Sequence, residues 1–556
     1  MYPDSWIIKA KIKIMEMKNK TGRIFYFYTT FILLSLLIFS LMGCQNRKGK
    51  ENYLLITLDT QRADYLSCYN PDKAHTPNLD SLAGKSFLYE NCYSLTPITL
   101  PSHGSLFFSQ PPNQLKSYNN GHIIRSKRNR PSFVNVFRKK GYSTAAFISL
   151  GVLKAKYGLD EGFQLYDDEF PDGDWYLTAE DVNRKAFPWL EKNRYKNFFL
   201  WLHYSDPHEP YYPPDSPPDL KLFLNDRLVG EFDLNKTTNQ IEIKLNKGKN
   251  KLKFVLVNNF IKNSYPLRAK FEKLTLDELE EEPGIDVDFK QGWIFREQDD
   301  SIFVEPEAVV NITNLSESKK LFFSLSANIL LPFDVMKENY RKDVEYLDRE
   351  IGRLLNKLEN LGLMKRTHIL VVGDHGESLG DYVNYNGEPH FGHIFFLYDV
   401  YMRVPLIIYN PFSDQRGIRI EEPASLLDIA PTILDTMGFK KLPHFKGRSL
   451  HDLSEKDNEL IFQETYKPQA IRSKFALLQY PLHLVYTPDS GRYELYDLRN
   501  DPGEKDNIYK SRSQEEQVVK MKKILDDQVR KIIQEKIEIQ IDKDTEGMLK
   551  TLGYIK

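Results

Sequence analysis

The chain has 556 residues, of which 41% are apolar, so it is long enough for two or three domains with a large core. Its 76 basic and 77 acidic side chains leave a formal net charge of −1. This even balance produces no overall field that would attract nucleic acid, and we expect no nucleic-acid partner. Partners must therefore be recognised by local features of the surface.

A signal segment is predicted within residues 1–44. Residues 24–42 are all apolar or hydroxylic and follow a basic stretch. They lead into the segment Leu41-Met42-Gly43-Cys44. A basic stretch, an apolar stretch and a small residue before the cut form a secretory signal. With Cys placed directly after Leu-Met-Gly, the segment resembles a bacterial lipoprotein signal, which implies acylation of Cys44. The alternative is an uncleaved signal anchor, because about 20 apolar residues span a bilayer.

Both interpretations place the rest of the chain outside the cytoplasm. The residue after Cys44 is Gln45, which is not acidic, and we therefore expect a bacterial outer-membrane lipoprotein that is held at the membrane by its lipid anchor. In an oxidising compartment Cys68 and Cys92 are a candidate disulfide pair. The sequence does not establish whether their Cα atoms lie within bridging distance.

Strand-like and helical patterns alternate from residue 52 onward. Continuous apolar runs such as 53–58 and 198–203 are separated by helical segments, which indicates a mostly parallel sheet with helices on both faces. We assign residues 52–214 and 332–424 to this α/β domain. Its longest predicted helix covers residues 336–359, where apolar residues recur at spacings of three and four.

Residues 215–331 have a different pattern. Segments 220–224, 240–245 and 251–257 alternate apolar and polar residues, and residues 246–250 supply a glycine-bearing turn. We predict an inserted antiparallel β module that resembles a sandwich. Whether the module helps to choose substrates or serves as a spacer is left open by the sequence.

The end of the chain is predicted as two further parts. Residues 425–510 combine a helix-like segment with strand-like runs near 475–478 and 483–486, and form a small α+β subdomain. Residues 511–556 are charged and helical, which indicates a tail packed outside the main sheet.

Three clusters of acid, hydroxyl and histidine residues follow strand-like runs. They contain Asp59, the segment Thr99-Leu100-Pro101-Ser102-His103, and the pair Asp374-His375. In a parallel sheet the carboxyl ends of the strands line one crevice, so these side chains are expected to converge. Two carboxylates and an imidazole suit a divalent cation such as Zn²⁺ or Mn²⁺, and also accept Ca²⁺ or Mg²⁺. A hydroxyl on such an ion becomes a nucleophile near neutral pH, and Thr99 is the candidate.

These clusters resemble the motifs of the sulfatase and alkaline phosphatase superfamily. The resemblance covers residues 52 to about 510 in the family's order, apart from the insert. It implies an alkaline-phosphatase-like fold and a metal-dependent esterase. The matching segments are Leu58-Asp59-Thr60-Gln61-Arg62-Ala63-Asp64, Thr76-Pro77-Asn78-Leu79-Asp80-Ser81-Leu82-Ala83, Thr99-Leu100-Pro101-Ser102-His103, Ser205-Asp206-Pro207-His208-Glu209-Pro210-Tyr211, residues 373–379, 397–408 and 494–504.

The resemblance also implies roles for individual residues. Asp59, Asp374 and His375 would be ligands of a divalent metal ion, and Thr99 would be the nucleophile that touches the same ion. Whether the ion is Ca²⁺, Mn²⁺, Zn²⁺ or Mg²⁺, and whether a second ion is bound, is left open by the sequence.

Three histidines complete the set of candidate catalytic residues. His208 and His393 would hold the ester oxygens or protonate the leaving group, a task that suits imidazole near neutral pH. His393 is chosen over its neighbour His390 because of its spacing to residues 397–398 in the family pattern. His103 stands where the nucleophile motif usually has arginine, so a fixed cation is missing from the expected anion pocket.

Two further departures from the family pattern concern Thr99 and Thr60. Relatives that cleave sulfate esters usually carry Cys or Ser at the position of Thr99, because that residue is oxidised to formylglycine. A secondary alcohol would give a ketone instead, so formylglycine cannot form from Thr99. The family's second metal-binding Asp after Asp59 is also replaced, by Thr60.

We therefore predict a metal-dependent hydrolase or transferase of sulfate or phosphate esters, with phosphate-type esters preferred over sulfate. The substrate is expected to be an anionic ester, carried by a glycan or linked to a lipid. One alternative is a true sulfuric ester hydrolase. The other is a non-catalytic glycan-binding protein in which the β module binds and the ester site is silent.

Overall fold

The computed structural model describes residues 51–551 apart from short gaps, and for parts of residues 232–330 it describes the backbone alone. The gaps are residues 125–129, 172–174, 210, 212, 215–219, 233–238, 257–267, 275–284, 291–292, 297–300, 305–306, 315–318, 331–332, 385–386, 388, 452–459, 469–471 and 535–542. The predicted signal segment and Cys44 lie outside the described residues.

Helices and strands alternate in the first part of the chain, and strands dominate its middle. The α-helices are α1 (Pro77–Ala83), α2 (Thr99–Phe108), α3 (Pro112–Leu115), α4 (Val134–Lys139), α5 (Ala179–Asn193), α6 (Phe333–Asn360), α7 (Asp399–Met402), α8 (Ile429–Thr436), α9 (Tyr509–Arg512), α10 (Glu516–Gln534) and α11 (Lys543–Thr551). The strands are β1 (Asn52–Leu58), β2 (Phe87–Tyr93), β3 (Ser143–Phe147), β4 (Leu165–Asp167), β5 (Phe198–Tyr204), β6 (Leu220–Leu224), β7 (Arg227–Phe232), β8 (Asn239–Leu245), β9 (Gly248–Leu256), β10 (Arg268–Leu274), β11 (Ile285–Phe289), β12 (Trp293–Arg296), β13 (Ser301–Val304), β14 (Glu307–Asn314), β15 (Lys319–Leu330), β16 (Thr367–Gly373), β17 (Ser378–Val383), β18 (Pro389–Gly392), β19 (Arg403–Tyr409), β20 (Ile418–Ile420), β21 (Ala424–Ser425), β22 (Ile461–Thr465), β23 (Lys474–Gln479), β24 (Leu482–Thr487) and β25 (Arg492–Asp497).

A nine-stranded, mostly parallel sheet forms the centre of the fold. Its order is β20-β2-β19-β16-β1-β5-β3-β4, and β21 also pairs with β2. Strand β1 lies between β16 and β5 and runs parallel to both. Strand β19 is antiparallel to its two neighbours, β16 and β2. Every residue of β1 is buried, as expected for a strand that is covered on both faces.

Alternate residues of β1 contribute to two hydrophobic cores, one on each face of the sheet. Tyr53 and Leu55 pack with residues of α2, α4 and α8. Leu54, Ile56 and Leu58 pack with residues of α1, α5 and α6. Because successive side chains of β1 point to opposite faces, the strand packs against helices on both sides of the sheet.

The segment between β5 and α6 folds into two five-stranded antiparallel sheets. Their orders are β12-β13-β10-β15-β8 and β11-β14-β9-β6-β7. Leu220, Leu222 and Leu224 of β6 are buried while the residues between them are partly exposed, so one face of this sheet is covered. The predicted glycine-bearing turn lies between β8 and β9, with a φ of 93° at Gly248. The two strands join different sheets, because β8 pairs with β15 whereas β9 pairs with β6 and β14.

A four-stranded antiparallel sheet, β22-β23-β24-β25, follows the central sheet. Helix α10 packs against it through Val518, Met521, Leu525 and Val529. Within the described part of the chain, none of the helices has both the length and the apolar character needed to cross a membrane.

The predicted fold class is confirmed: a mostly parallel sheet with helices on both faces carries additional antiparallel sheets. The residue limits of the separate domains remain predictions. The longest helix, α6, starts at Phe333, three residues earlier than expected, and ends just before Gly362, which has a positive φ of 68°. Cys68 and Cys92 are both free thiols, so the structure does not contain the disulfide that the sequence permitted.

Candidate active site

Three neighbouring strands of the central sheet end at the candidate active site. Leu58, the last residue of β1, pairs with Gly373, the last residue of β16. The backbone N–H of Asp374 donates to the carbonyl oxygen of Leu58 (3.2 Å), and the N–H of Asp59 donates to that of Tyr204 (2.8 Å). This register places Asp59 and Asp374 side by side at the carboxyl edge of the sheet, as the sequence predicted.

Asp59, Asp374 and His375 form a compact group whose nearest ligand atoms all lie within 4.8 Å of one another. All three residues are fully buried. His375 Nε2 lies 3.7 Å from Asp59 Oδ1 and 3.4 Å from Asp374 Oδ2. Thr99 Oγ1 lies 3.5 Å from Asp59 Oδ1 and 3.3 Å from His375 Nε2. The structure thus brings together the three predicted ligands and the predicted nucleophile.

The donor set of this group fits a divalent cation. His375 donates its Nδ1–H to the carbonyl oxygen of Gly376 (3.0 Å), which leaves the lone pair of Nε2 directed at the two carboxylates. Asp374 Oδ2 is buried and accepts no hydrogen bond from the described residues. A buried carboxylate oxygen without a donor is costly, and a cation at this point would compensate it.

The pKa values of the two acids point the same way. Burial raises the pKa of Asp374 well above its usual range, and the charge of Asp59 raises it further. Burial acts in the same direction on Asp59, but His203, His208 and His375 outweigh it and lower the pKa of Asp59. Two carboxylates this close cannot both be charged cheaply without a cation between them.

Thr99 is the first residue of helix α2, whose preceding residue, Ile98, is extended. The helix N-terminus therefore lies at the nucleophile, where its dipole favours negative charge. The hydroxyl of Ser102 donates to the carbonyl oxygen of Asp374 (2.7 Å) and ties the helix to the metal-ligand loop. The carboxamide oxygen of Asn120 accepts the N–H of Leu100 (2.9 Å).

Thr60, which stands where the family has a second acid, adopts a left-handed backbone with φ of 53°. This conformation is strained for a β-branched residue, and hydrogen bonds between the Thr60 backbone and two neighbouring side chains hold it. The Thr60 N–H donates to Asp374 Oδ1 (3.1 Å), and the Tyr340 hydroxyl donates to the Thr60 carbonyl (2.9 Å). The backbone of Thr60 thus orients Asp374, although its side chain offers no carboxylate.

His103 is fully buried one turn into α2, and both of its ring nitrogens are engaged. Nδ1 lies 2.9 Å from the carbonyl oxygen of Thr99, and Nε2 lies 3.1 Å from the hydroxyl of Thr57. Since Trp201 donates its indole N–H to the same hydroxyl (2.8 Å), the Thr57 proton is directed to His103 Nε2. Neither nitrogen of His103 is left to hold an ester oxygen, so the structure does not support a direct catalytic contact.

His208 and His393 lie beside the metal-ligand group. The rings of His375 and His393 are 4.7 Å apart, and those of His208 and His393 are 5.1 Å apart. His208 donates Nδ1–H to the carbonyl oxygen of Glu209 (2.6 Å). His390 instead faces the hydroxyl of Tyr401 (2.9 Å). Of the two neighbouring histidines, His393 is the one that lies against His375, and its catalytic role stays a prediction.

The family assignment follows from comparison with known proteins. The sequence profile of the sulfatase family matches residues 51–439, which is more than half of the chain. The chain belongs to the sulfatase family. The profile of the C-terminal part of N-sulphoglucosamine sulphohydrolase matches residues 387–531 of this sulfatase-family protein. Members of the family generally use a divalent metal ion, for which the group of Asp59, Asp374 and His375 is the candidate site.

Curated relatives of this sulfatase-family protein align over most of its length. It is 23% identical to an N-acetylglucosamine-6-O-sulfatase of Bacteroides thetaiotaomicron, over 86% of this chain and 87% of the relative. It is 24% identical to an arylsulfatase of Clostridium perfringens, over 91% of this chain and 98% of the relative. These relationships make the chain an ester hydrolase.

Solved structures share the fold. One, of a protein in complex with its substrate D-glucosamine-2-N,6-O-disulfate, superposes with a TM-score of 0.57 at 17% identity and covers 88% of this chain and 100% of its own. A phosphonate monoester hydrolase of Silicibacter pomeroyi superposes with a TM-score of 0.55 at 18% identity and covers 88% of this chain and 96% of its own. Sulfatases and phosphonate hydrolases thus share this architecture.

His203, which sequence reasoning did not select, also belongs to the site. It is fully buried in β5, and its Nε2 lies 3.4 Å from Asp59 Oδ2. Its Nδ1 faces the hydroxyl of Ser149 (2.8 Å), which in turn is 2.7 Å from the hydroxyl of Ser205. The signal that would have found it is its position: it pairs with Thr57 near the end of the strand beside β1.

We expect His203→Ala to weaken metal binding by about 10- to 100-fold, because outer-shell partners orient the ligating carboxylate. The measurement is competition for the ion with a coloured chelator. His390→Ala serves as the control, because His390 contacts Tyr401 and not the ligand group. Equal affinities for the two variants would contradict a positioning role for His203.

A buried acid on α6, Asp343, lies close to the site without taking part in the ligand group. Neither of its oxygens accepts a hydrogen bond from the described residues. Burial raises the pKa of Asp343 well above its usual range, and Asp206 and Glu377 raise it further. Burial likewise raises the pKa of Asp206 to about 7. Because the pKa of Asp343 is higher in the folded state than in the unfolded state, folding favours the protonated acid. The free energy of unfolding therefore falls as the pH rises above the usual pKa of an aspartic acid.

We therefore expect Asp343→Asn to be more stable than the wild type, by about 1 kcal/mol or more at pH 8 and by less at pH 5. Urea unfolding of both proteins at the two pH values measures the difference. Asp348→Asn on the same helix is the matched control. It is expected to lose stability, because Asp348 accepts the N–H groups of Asn78 (3.1 Å) and Leu79 (2.8 Å). A constant difference between Asp343→Asn and wild type across this pH range would contradict the prediction.

Proposed function

We propose that this protein cleaves or transfers a phosphate-type ester through a covalent intermediate on Thr99. The observation that supports the proposal is the position of Thr99 Oγ1, 3.5 Å from Asp59 Oδ1 and 3.3 Å from His375 Nε2, at the N-terminus of a helix. Asp59, Asp374 and His375 would hold a divalent ion, which would supply Lewis acidity and so lower the pKa of a hydroxyl at the site.

The chain's own residues account for the remaining steps. Thr99 Oγ1 gives its proton to water and attacks the central atom of the ester group, and the bond to the leaving alcohol breaks as the bond to Thr99 forms. His393 or His208 donates a proton to the departing alcohol oxygen. Water, or an acceptor alcohol, then displaces Thr99 and restores its hydroxyl. His103 holds the Thr99 carbonyl and so positions the nucleophile.

The preference for phosphate follows from the side chain of Thr99. A secondary alcohol is unable to become formylglycine, on which relatives that cleave sulfate esters depend. Ca²⁺, Mn²⁺, Zn²⁺ and Mg²⁺ are all compatible with two carboxylates and one imidazole.

The second candidate function is sulfate ester hydrolysis, the activity for which the curated relatives are named. The N-acetylglucosamine-6-O-sulfatase and the structure with bound glucosamine disulfate favour a sulfated glycan as the substrate of such an activity. In this case Thr99 would act as a plain alcohol nucleophile.

We further propose that the protein is held outside the cytoplasm at the bacterial outer membrane by an acylated Cys44. The support is the order of basic, apolar and small residues before Cys44. Incorporation of labelled palmitate into the wild type, and its loss in Cys44→Ser, tests this anchor. Equal labelling of the two proteins would remove it.

An ester panel tests the enzymatic proposal. The purified chain is incubated with 4-nitrophenyl phosphate, bis(4-nitrophenyl) phosphate and 4-nitrophenyl sulfate, each with Ca²⁺, Mn²⁺, Zn²⁺ or Mg²⁺. We expect metal-dependent release of 4-nitrophenol from a phosphate ester at a higher kcat/KM than from the sulfate. Faster turnover of the sulfate would favour the second candidate, and no turnover together with no bound metal would favour a non-catalytic glycan-binding protein.

A further inference from the structure

Asn120 has an unused hydrogen-bond donor beside the nucleophile. Its side chain is 4% exposed. Its Oδ1 accepts the backbone N–H of Leu100 (2.9 Å), and Leu100 directly follows Thr99. Its Nδ2 is buried and donates to no acceptor among the described residues. The orientation of the amide is fixed, because a backbone N–H is able to bond only to the oxygen end.

A buried amide N–H without an acceptor lowers the stability of the folded state. A buried donor without an acceptor costs about 1–3 kcal/mol, and such groups in folded proteins normally have a partner. The N-terminal turn of α2 supplies no acceptor, because its carbonyl groups point along the helix away from its N-terminus. The donor therefore suits a ligand oxygen that arrives at the N-terminus of α2, where Thr99 lies.

The charges around the site define what kind of ligand fits. In the described part of the chain, every ion pair of Asp59 and Asp374 is with a histidine. The nearby guanidinium of Arg62 is bound to Asp64 (2.9 Å) and Asp381 (2.6 Å). No lysine or arginine of the described residues pairs with the two ligand acids.

We propose that Asn120 is a catalytic residue whose Nδ2 donates to a non-bridging oxygen of the ester group, and that the group selected is a phosphodiester with a single negative charge. Two carboxylates already balance the charge of one divalent ion, so the second charge of a phosphate monoester would have no cation to compensate it, whereas a neutral donor is enough for one shared charge. The inference rests on the proposed function, because an ester attacked by Thr99 must lie at this helix terminus.

The metal-loaded full chain is tested with bis(4-nitrophenyl) phosphate and 4-nitrophenyl phosphate. We expect a kcat/KM at least about tenfold higher for the diester, and a loss of about 10²- to 10³-fold for the diester in Asn120→Ala, which is the scale for removal of one oxyanion donor. Asn120→Asp is the sharper variant. It keeps an oxygen for the Leu100 N–H, removes the donor and adds a negative charge beside the anionic ester, so we expect a loss at least as large as in Asn120→Ala.

Each outcome separates the inference from the proposed function. Wild-type kcat/KM in Asn120→Asp, with unchanged Tm and metal content, would mean that Asn120 merely holds Leu100, and would overturn the donor role. A higher kcat/KM for the monoester would overturn the proposed selection of a singly charged ester. Full activity in Thr99→Ala would overturn the proposed function instead. The comparison of diester with monoester uses wild-type protein. It therefore tests the preference for a singly charged ester even if a variant fails to fold.

Discussion

Thr99→Ala is expected to lower kcat by at least about 10⁴-fold, on the scale seen when a covalent nucleophile is removed. The reason is that Thr99 Oγ1 faces the ligand atoms themselves, 3.5 Å from Asp59 Oδ1 and 3.3 Å from His375 Nε2. The fold and the bound metal should be unaffected, because Asp59, Asp374 and His375 remain and the helix start tolerates alanine. Release of 4-nitrophenol and the metal content of the purified protein are the two measurements.

Thr99→Ser is the matched control for this change. It keeps a hydroxyl at the same position and loses one methyl group, so we expect it to retain activity far above that of Thr99→Ala. A Thr99→Ala variant with wild-type kcat would remove the nucleophile assignment. Equal inactivity of both variants, with metal still bound, would show that the hydroxyl alone is not enough and that the methyl group is also needed.

Removal of the metal ion is expected to abolish turnover and to lower the stability of the fold. At a free metal concentration about 100 times Kd, binding to the folded state adds about 2.7 kcal/mol to the free energy of unfolding. The ion would also relieve the repulsion between the buried acids, since the charge of Asp59 raises the pKa of Asp374. Chemical unfolding with chelator, and then with increasing metal, measures the effect.

Asp374→Ala and His390→Gln distinguish a specific site from general binding. Asp374→Ala should show no stabilisation by metal, because it removes one ligand of the group. His390→Gln should respond as the wild type does, because His390 faces Tyr401. Metal-dependent stabilisation of the same size in Asp374→Ala would place the ion elsewhere in the chain.

Much of the scaffold was predictable from local patterns. The continuous apolar run of β1 indicated a strand buried on both faces, and the three-and-four spacing of apolar residues indicated α6. Pairing between distant strands was not predictable. Strand β8 pairs with β15, far along the chain, and its neighbour β9 joins the other sheet of the insert. Alternating patterns specify which face of a strand is buried but not its partner.

The candidate site likewise contains residues that the sequence predicts and residues that only the structure reveals. Asp59, Thr99, Asp374 and His375 were predictable, because polar residues directly after apolar strands mark the carboxyl edge of a parallel sheet. The role of His103 was not predictable, because it depends on the Thr57 hydroxyl and the Thr99 carbonyl, which take up both ring nitrogens. Asn120 has no sequence signal at all, since it meets α2 through a loop contact with Leu100.

By itself, the sequence predicted which side chains would bind a metal ion and which hydroxyl would attack, because these properties belong to residue types and to their place after a strand. It also determined that formylglycine is excluded at Thr99. The tertiary structure alone decided the partners of each buried histidine: His203 faces Asp59, whereas His103 bonds the Thr99 carbonyl and the Thr57 hydroxyl. Hydrogen-bond partners are set by strand register and helix packing, and these bring together residues that no local pattern connects.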